Sequence, residues 1–347
     1  MNKILLAISL FSVACYGCNN AGNDKTATTV TAKDSIFGKI EIYDKMAASL
    51  IDSNAIIEVI GRNFTWSEGP VWIAAKQMLL FSDVSENKIF KWKDGDTAKL
   101  YLTPSGYTDT AKRDGENGAN GLALDKDGHL LLCQSGNRNV ARLNASLDTP
   151  KPAFTILSSN YNGKKFNSPN DLVADRKDNI YFTDPIYGLP QKENDPTREL
   201  MFEGVYKINA AGKTSLLIDS IPRPNGVALS LNEKILYVAS SDNVKPKWYA
   251  YQLYENGNIA SGGVLLDAAP LKEKATVKQG PDGMKIDKYG NIFSAGPDGI
   301  NIISPEGKRL GLIKIFNRPT SNCAFNETKD VLYFTANDMV FKVKLRK

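Results

Sequence analysis

The sequence predicts an all-β chain: a six-bladed β-propeller of four-stranded blades around a central channel. Three observations carry that prediction. First, an oxygen-bearing side chain heads an alternating apolar run six times, at Glu68 (SEGPVW), Asn120 (GANGLALD), Asn170 (SPNDLVAD), Asn225 (RPNGVALS), Asp282 (GPDGMKID) and Asn322 (SNCAFN). The intervals of 52, 50, 55, 57 and 40 residues suit a unit of four short strands with their turns. Second, helical periodicity is nearly absent beyond the N-terminal segment. Third, six blades of about fifty residues each fit the 312 residues of 36–347.

Taken in order, the chain opens on MNKILLAISLFSVACYGC, residues 1–18. Lys3 gives a short positive start, and Ile4 to Ala14 form an apolar stretch too short to span a bilayer comfortably. Ending in small residues and cysteine, it reads as a bacterial lipoprotein-type signal with Cys18 lipidated, or Cys15; a plain secretory signal is the other reading. That places the chain outside the cytoplasm, on the membrane by a lipid anchor alone, facing the periplasm or the cell surface, and as a monomer. Residues 19–35 are small and polar, which suits a flexible tether. From 36 onward each phrase is followed by a tight turn and a second run rich in Leu, Ile, Tyr, Phe and Val. ANGLALDKDGHLLLC, PNDLVADRKDNIYFTD and PDGMKIDKYGNIFSAG are examples, with the Asp, Asn and Gly that hairpin turns need. Further runs, GVYKIN with TSLLID and GINIIS with LGLIKIF, supply the outer strands.

Composition removes several function classes. Hydrophobic residues at 42% and charged residues at 23% are ordinary for a globular protein. The net charge of +5 arises from 43 basic and 38 acidic residues scattered without a basic run, which argues against nucleic acid as a partner. His129 is the one histidine, placed just after a turn in KDGHLLL. A Ser-His-Asp triad or a multi-histidine zinc site therefore has no material unless His129 serves. Beyond the leader, Cys133 and Cys323 stand in apolar strand contexts and read as buried small hydrophobes.

In a propeller the first strand of each blade lines the channel, so the residues heading these strands converge at one mouth. Such a ring of polar groups is costly unless each finds a partner. Glu68 and Asp282 would repel across the axis without a cation between them. An all-oxygen set favours Ca²⁺ or Mg²⁺/Mn²⁺ over zinc or copper, and Ca²⁺ best tolerates an irregular mixture of carboxylates, amides and water. The competing reading is that each head caps its own turn. It weighs most for Asn120 and Asn322 and least for Glu68 and Asp282.

These motifs, with KKFNSPNDLV, IYFTDPIYGL and SPEGKRLG, occur in order between Phe64 and Arg346. Through them the chain resembles the senescence-marker-protein (regucalcin)/gluconolactonase/luciferin-regenerating-enzyme-like family, six-bladed propellers that hydrolyse sugar lactones. The resemblance implies one divalent ion held by Glu68, Asn225 and Asp282. Asn170 matches a position that binds substrate, or the metal in some relatives, and Asn120 matches a further polar substrate contact. Ca²⁺ is the expected ion, with Mg²⁺, Mn²⁺ and Zn²⁺ as alternatives. Asp282 is the expected general base, passing a proton from water to the ring oxygen of a small sugar lactone. Bacterial relatives often carry a histidine where this chain has Gln134 and Ser135. Trp66 and Tyr187 are candidates to stack on a sugar, Trp72 reads as blade core, and Asp171 as a hydrogen-bonding support. Two other functions compete: hydrolysis of aryl esters or phosphotriesters on the same ring, and non-catalytic binding of a sugar or protein.

Overall fold

Each repeat phrase opens the innermost strand of one antiparallel sheet. The structure is a computed structural model that describes residues 37–346. Six sheets follow one another around an axis, and a two-stranded ladder at Asn160–Tyr161 and Lys164–Lys165 stands apart. Blade I runs from Ser67 to Leu102, blade II from Ala119 to Ser158, blade III from Leu172 to Ile218 and blade IV from Pro224 to Asp267. The first strands touch one another in cyclic order, so together they line the channel. The leader and tether, with Cys15 and Cys18, lie outside the described residues.

Blades V and VI borrow strands from the other end of the chain. In blade VI, Asn322–Phe325, Val331–Ala336 and Met339–Lys344 are completed by Ile57–Arg62, with Ile57 opposite Val343. Blade V gains a fifth strand, Gly38–Ile42, paired along Arg309–Ile315. N-terminal strands thus pair with C-terminal ones as the outermost strands of blades V and VI and close the ring. No local sequence signal marks this pairing.

The second strands explain why LLLC and MLLF read as unbroken apolar runs. Met78–Asp83 and Leu130–Gln134 are buried on both faces because each sheet packs between two neighbours. Cores therefore sit between blades. Phe293 and Ile300 of blade V meet Phe334 and Phe341 of blade VI, and Leu80 of blade I meets Leu132 of blade II. Trp72 stacks on Tyr333 across the blade I–VI boundary with ring centroids 5.1 Å apart, away from the mouth that carries the polar ring. Tight turns follow an Asp-x-x-Gly/Asp pattern, ending at Gly128, Asp178 and Gly290. Asp125, Asp175 and Asp287 each accept two downstream backbone N–H groups at 2.8–3.0 Å.

Hydroxyls tie one blade to the next near the axis. Ser82 Oγ donates to Asn120 O at 3.0 Å, Thr183 Oγ1 to Asn225 O at 2.7 Å and Ser321 Oγ to Ser67 O at 2.6 Å. The last of these crosses the closure. Ser321→Ala is expected to lower stability by about 1–2 kcal/mol, because it strands a buried carbonyl. A urea titration reads this as a lower midpoint at unchanged slope; an unmoved midpoint would show that the hydroxyl contributes nothing to closure.

Candidate active site

The polar heads reach the cavity because a β-bulge re-aims them. In blade I the ladder passes from Glu68↔Ser82 to Val71↔Leu80, one residue more on the inner strand than on its partner. Blade II does the same between Ala119 and Leu122, and blade IV between Pro224 and Val227. In blade III Asn170 and Asp171 together oppose Thr183 (Asn170 N to Thr183 O 2.9 Å, Thr183 N to Asp171 O 3.1 Å). Asp282 and Gly283 oppose Ala295 in blade V in the same way, at 2.8 and 2.9 Å. In blades II to V the head is one of the two residues set against one, whereas in blade I Glu68 stays paired with Ser82 and Gly69 and Pro70 make the bulge. Glycine makes this packable: Gly69 has φ +49, and a Cβ on it would stand 2.0 Å from Asn120 O.

Blade VI differs by one residue. Its turn residue Asn326 follows Asn322 by four positions, whereas Asp125, Asp175 and Asp287 follow their heads by five. Ser321, whose N–H donates to Thr335 O at 2.9 Å, therefore occupies the head position, and Asn322 falls one step deeper. Asn322 Oδ1 caps Cys323 N at 2.8 Å, and its side chain hydrogen-bonds Glu68. Asp171 lies at the same depth, accepting from Leu172 N at 2.9 Å. These two side chains fill the channel beneath the cavity, between positions that are glycine in the other four blades. A Cβ on Gly121 would stand 2.7 Å from Asp171 Oδ1, and one on Gly283 would stand 2.0 Å from Asn322 Cγ.

Above them opens a cavity of about 330 Å³, lined by Glu68, Asn120, Asn170, Asn225 and Asp282 together with Trp66, Glu116, Tyr187, Ser241, Lys278, Gln279 and Thr320. Five of the six expected heads thus share one chamber. Trp66 and Tyr187 form part of its wall, while Trp72 lines a pocket elsewhere, with Val71 and Phe325. Gln134 and Ser135 do not reach the chamber. Gln134 Nε2 donates to Ser105 O at 2.9 Å and Ser135 Oγ to Pro169 O at 2.7 Å, so both side chains brace loops. Sequence reasoning missed Glu116, Ser241 and the Lys278–Gln279 pair, which stand on loops rather than at strand heads.

The donor set fits an oxygen-loving cation. Glu68 is 2% exposed, and one of its oxygens accepts from Gly69 N at 2.8 Å. Asp282 Oδ1 accepts from Gly283 N at 2.9 Å. Burial raises the pKa of both carboxyls; repulsion from Glu68 raises that of Asp282 further, and Asp171 and Glu116 push both up. Asn225 Nδ2 donates to Ser241 Oγ at 3.0 Å, which leaves its carbonyl oxygen as the free end. Asn120 Oδ1, Asn170 Oδ1 and Glu116 Oε2 are buried acceptors without a donor. Orphaned acceptors beside two carboxylates are what a divalent ion and hydroxylated ligands would satisfy together. A second acidic grouping, Asp125, Asp127 and His129, lies on an exposed turn, where Asp125 already accepts from Asp127 N and His129 N.

Residues 66–338 match the family described as the SMP-30/gluconolactonase/LRE-like region. The chain belongs to that family. Gluconolactonase of Zymomonas mobilis is 36% identical over 319 residues, covering 90% of this chain and 87% of the relative. Human regucalcin is 24% identical over 274 residues, covering 77% and 81%. Among solved structures, a Xanthomonas campestris gluconolactonase of glucose secondary metabolism superposes with TM-score 0.74 at 26% identity, over 88% of this chain and 94% of that one. Regucalcin from Agrobacterium tumefaciens, a calcium-binding protein, shares the fold at TM-score 0.62 and 14% identity, over 84% of this chain and 95% of that one. This SMP-30/gluconolactonase/LRE-like member therefore has the six-bladed propeller of its relatives.

Proposed function

We propose that this protein opens sugar lactones by metal-dependent hydrolysis in the chamber headed by Glu68, Asn170, Asn225 and Asp282. The observation that carries the reading is the convergence of two buried carboxylates and orphaned amide oxygens on one cavity, in a chain 36% identical to a gluconolactonase. Glu68, Asn225, Asp282 and Asn170 would hold the ion, with Ca²⁺ the best match to so irregular an oxygen set. When bound, it would supply Lewis-acid polarisation of the lactone carbonyl and charge stabilisation for the oxyanion.

The chain's own residues do the rest. Asp282 accepts a proton from the attacking water and returns it to the ring oxygen as the ester C–O bond breaks. Asn170 and Asn120 hold substrate hydroxyls through their carbonyl oxygens. Asn225 is locked by Ser241, so its carbonyl end stays aimed at the chamber. Trp66 and Tyr187 give the sugar ring apolar walls, and Tyr187 is fixed by Ser241 and by Arg223 5.9 Å from its ring centroid. We also propose that the protein acts as an extracytoplasmic lipoprotein, anchored through Cys18 or Cys15, and as a monomer.

The test is hydrolysis of glucono-1,5-lactone by purified protein, stripped with chelator and then given Ca²⁺, Mg²⁺, Mn²⁺ or Zn²⁺ in turn. Activity should vanish on stripping and return most fully with Ca²⁺. Turnover that survives stripping would remove the metal from the reaction. Turnover of aryl esters or paraoxon with none of the lactone would move the substrate class.

A further inference from the structure

Glu116 is the third carboxylate of the chamber, and nothing in the scheme above employs it. It stands in the loop joining blades I and II, four residues ahead of Asn120. That loop is pinned from both sides. Arg113 Nη1 donates to Glu116 O at 2.7 Å and to Asn117 Oδ1 at 3.3 Å, and Arg113 Nη2 donates to Gly188 O. Tyr107 N donates to Asn117 O at 2.6 Å. Gly115, at φ +86, brings the backbone against Gly188 O, where a Cβ would stand 3.0 Å away. The carboxylate is therefore held in place by its own main chain.

Its charge is not spent on a structural ion pair. Arg113 uses its terminal nitrogens on carbonyl groups and the Asn117 amide, and Lys192 Nζ donates to Tyr187 O. Both cations lie near enough to favour the ionised carboxylate against burial, yet neither bonds it. The Asn120 amide beside it also favours the ionised carboxylate. Glu116 Oε2 and Asn120 Oδ1 are left as two buried acceptors without donors, on residues that line the chamber.

We propose that Glu116 and Asn120 form a hydroxyl-reading pair, which accepts hydrogen bonds from two neighbouring hydroxyls of a polyhydroxylated ligand and makes Glu116 a specificity-determining residue. The inference rests on the lactone reading for the reaction, but not for the binding. A hydroxyl donates to a carboxylate in a short, charge-assisted bond. An analogue without hydroxyls leaves both acceptors buried and unpaired, and sites built this way reject such analogues by orders of magnitude. Glucono-1,5-lactone fills the pair; δ-valerolactone, the same ring without hydroxyls, leaves it empty.

Two measurements test this on the full chain with Ca²⁺ held constant. The first compares kcat/KM for glucono-1,5-lactone and δ-valerolactone in wild type, Glu116→Leu and the shape-preserving Glu116→Gln. The second compares calorimetric binding of gluconate with that of hexanoate, its hydroxyl-free counterpart, and needs no turnover. Wild type should prefer the hydroxylated member of each pair. Glu116→Leu should shrink that preference at least about ten-fold, the loss of one charged hydrogen bond, and Glu116→Gln should move it the same way by less. An unchanged preference in both variants overturns the proposal while leaving lactone hydrolysis standing. Wild type that turns over neither lactone, yet loses its gluconate preference on substitution, removes the lactone reading and keeps the pair. Loss of the Ca²⁺-induced thermal shift in Glu116→Gln would make Glu116 an ion ligand and overturn the proposal.

Discussion

Replacing Asp282 with asparagine is expected to lower lactone turnover at least about 100-fold, the low end of what a positioned general base contributes, and to leave the propeller folded. Asparagine has the same shape, and its oxygen can keep the bond from Gly283 N, now 2.9 Å long. It can also still offer an oxygen to a cation. What it cannot do is take a proton. The substitution also removes one of the two buried charges that repel across the chamber, so the ion-free variant should melt at or above the wild-type temperature. Lost activity with retained melting separates a chemical role from a structural one. Turnover within a few-fold of wild type would remove Asp282 as the base and leave a water molecule deprotonated elsewhere. Glu68→Gln is the informative partner. If Glu68 acts by holding the ion, its activity should recover in part at high Ca²⁺, whereas that of Asp282→Asn should not.

Much of this chamber was readable before any coordinates, because the fold repeats. A polar head and an apolar run at intervals of 50–57 residues locate Asn120, Asn170, Asn225 and Asp282 on equivalent strands. Symmetry then brings equivalent positions to one mouth. The sixth phrase misled for a physical reason. SNCAFN matches the others in composition, but its inner strand is one residue shorter before the turn at Asn326, so Ser321 takes the head and Asn322 drops below the chamber. Composition could not show that slip; counting from head to turn would have. Closure was illegible in another way. Ile57–Arg62 pairs with Met339–Lys344, and such a contact between distant segments leaves no trace in either segment's pattern.

Residues on loops were the hardest to find. Glu116 heads no strand, and its signal is only a carboxylate set among Gly115 and Gly118 just before a head phrase. Gln134 and Ser135 stand where bacterial relatives often carry a histidine, and here backbone carbonyls take both side chains. A side chain's availability depends on which carbonyls its neighbours leave free. That is a tertiary property, and a motif does not encode it.

Calcium should stabilise the protein more at pH 8 than at pH 5. The sign follows from the two carboxyls. Burial and repulsion from neighbouring carboxylates raise the pKa of Glu68 and Asp282 in the ion-free protein. A carboxyl raised on folding contributes stability that is fully present below its unfolded pKa, and that stability is lost as pH rises through the folded value. The ion-free chamber therefore becomes costlier from the ordinary carboxylate range upward. A cation binds the ionised pair, so protons compete with it at low pH and its benefit grows over the same interval. At a free-ion concentration near one hundred times Kd, the gain is about 2.7 kcal/mol. Melting curves in chelator and in Ca²⁺ at both pH values read this directly. The upward shift should be several degrees at pH 8, smaller at pH 5, and absent in Glu68→Gln at the same Ca²⁺ concentration. An equal shift at both pH values, or one that survives Glu68→Gln, would place the ion elsewhere. The exposed turn of Asp125, Asp127 and His129 is the other grouping to test then. That turn contains the chain's one histidine. Its Nδ1 lies 2.9 Å from Asp125 Oδ2, so Asp125→Ala would separate the two locations.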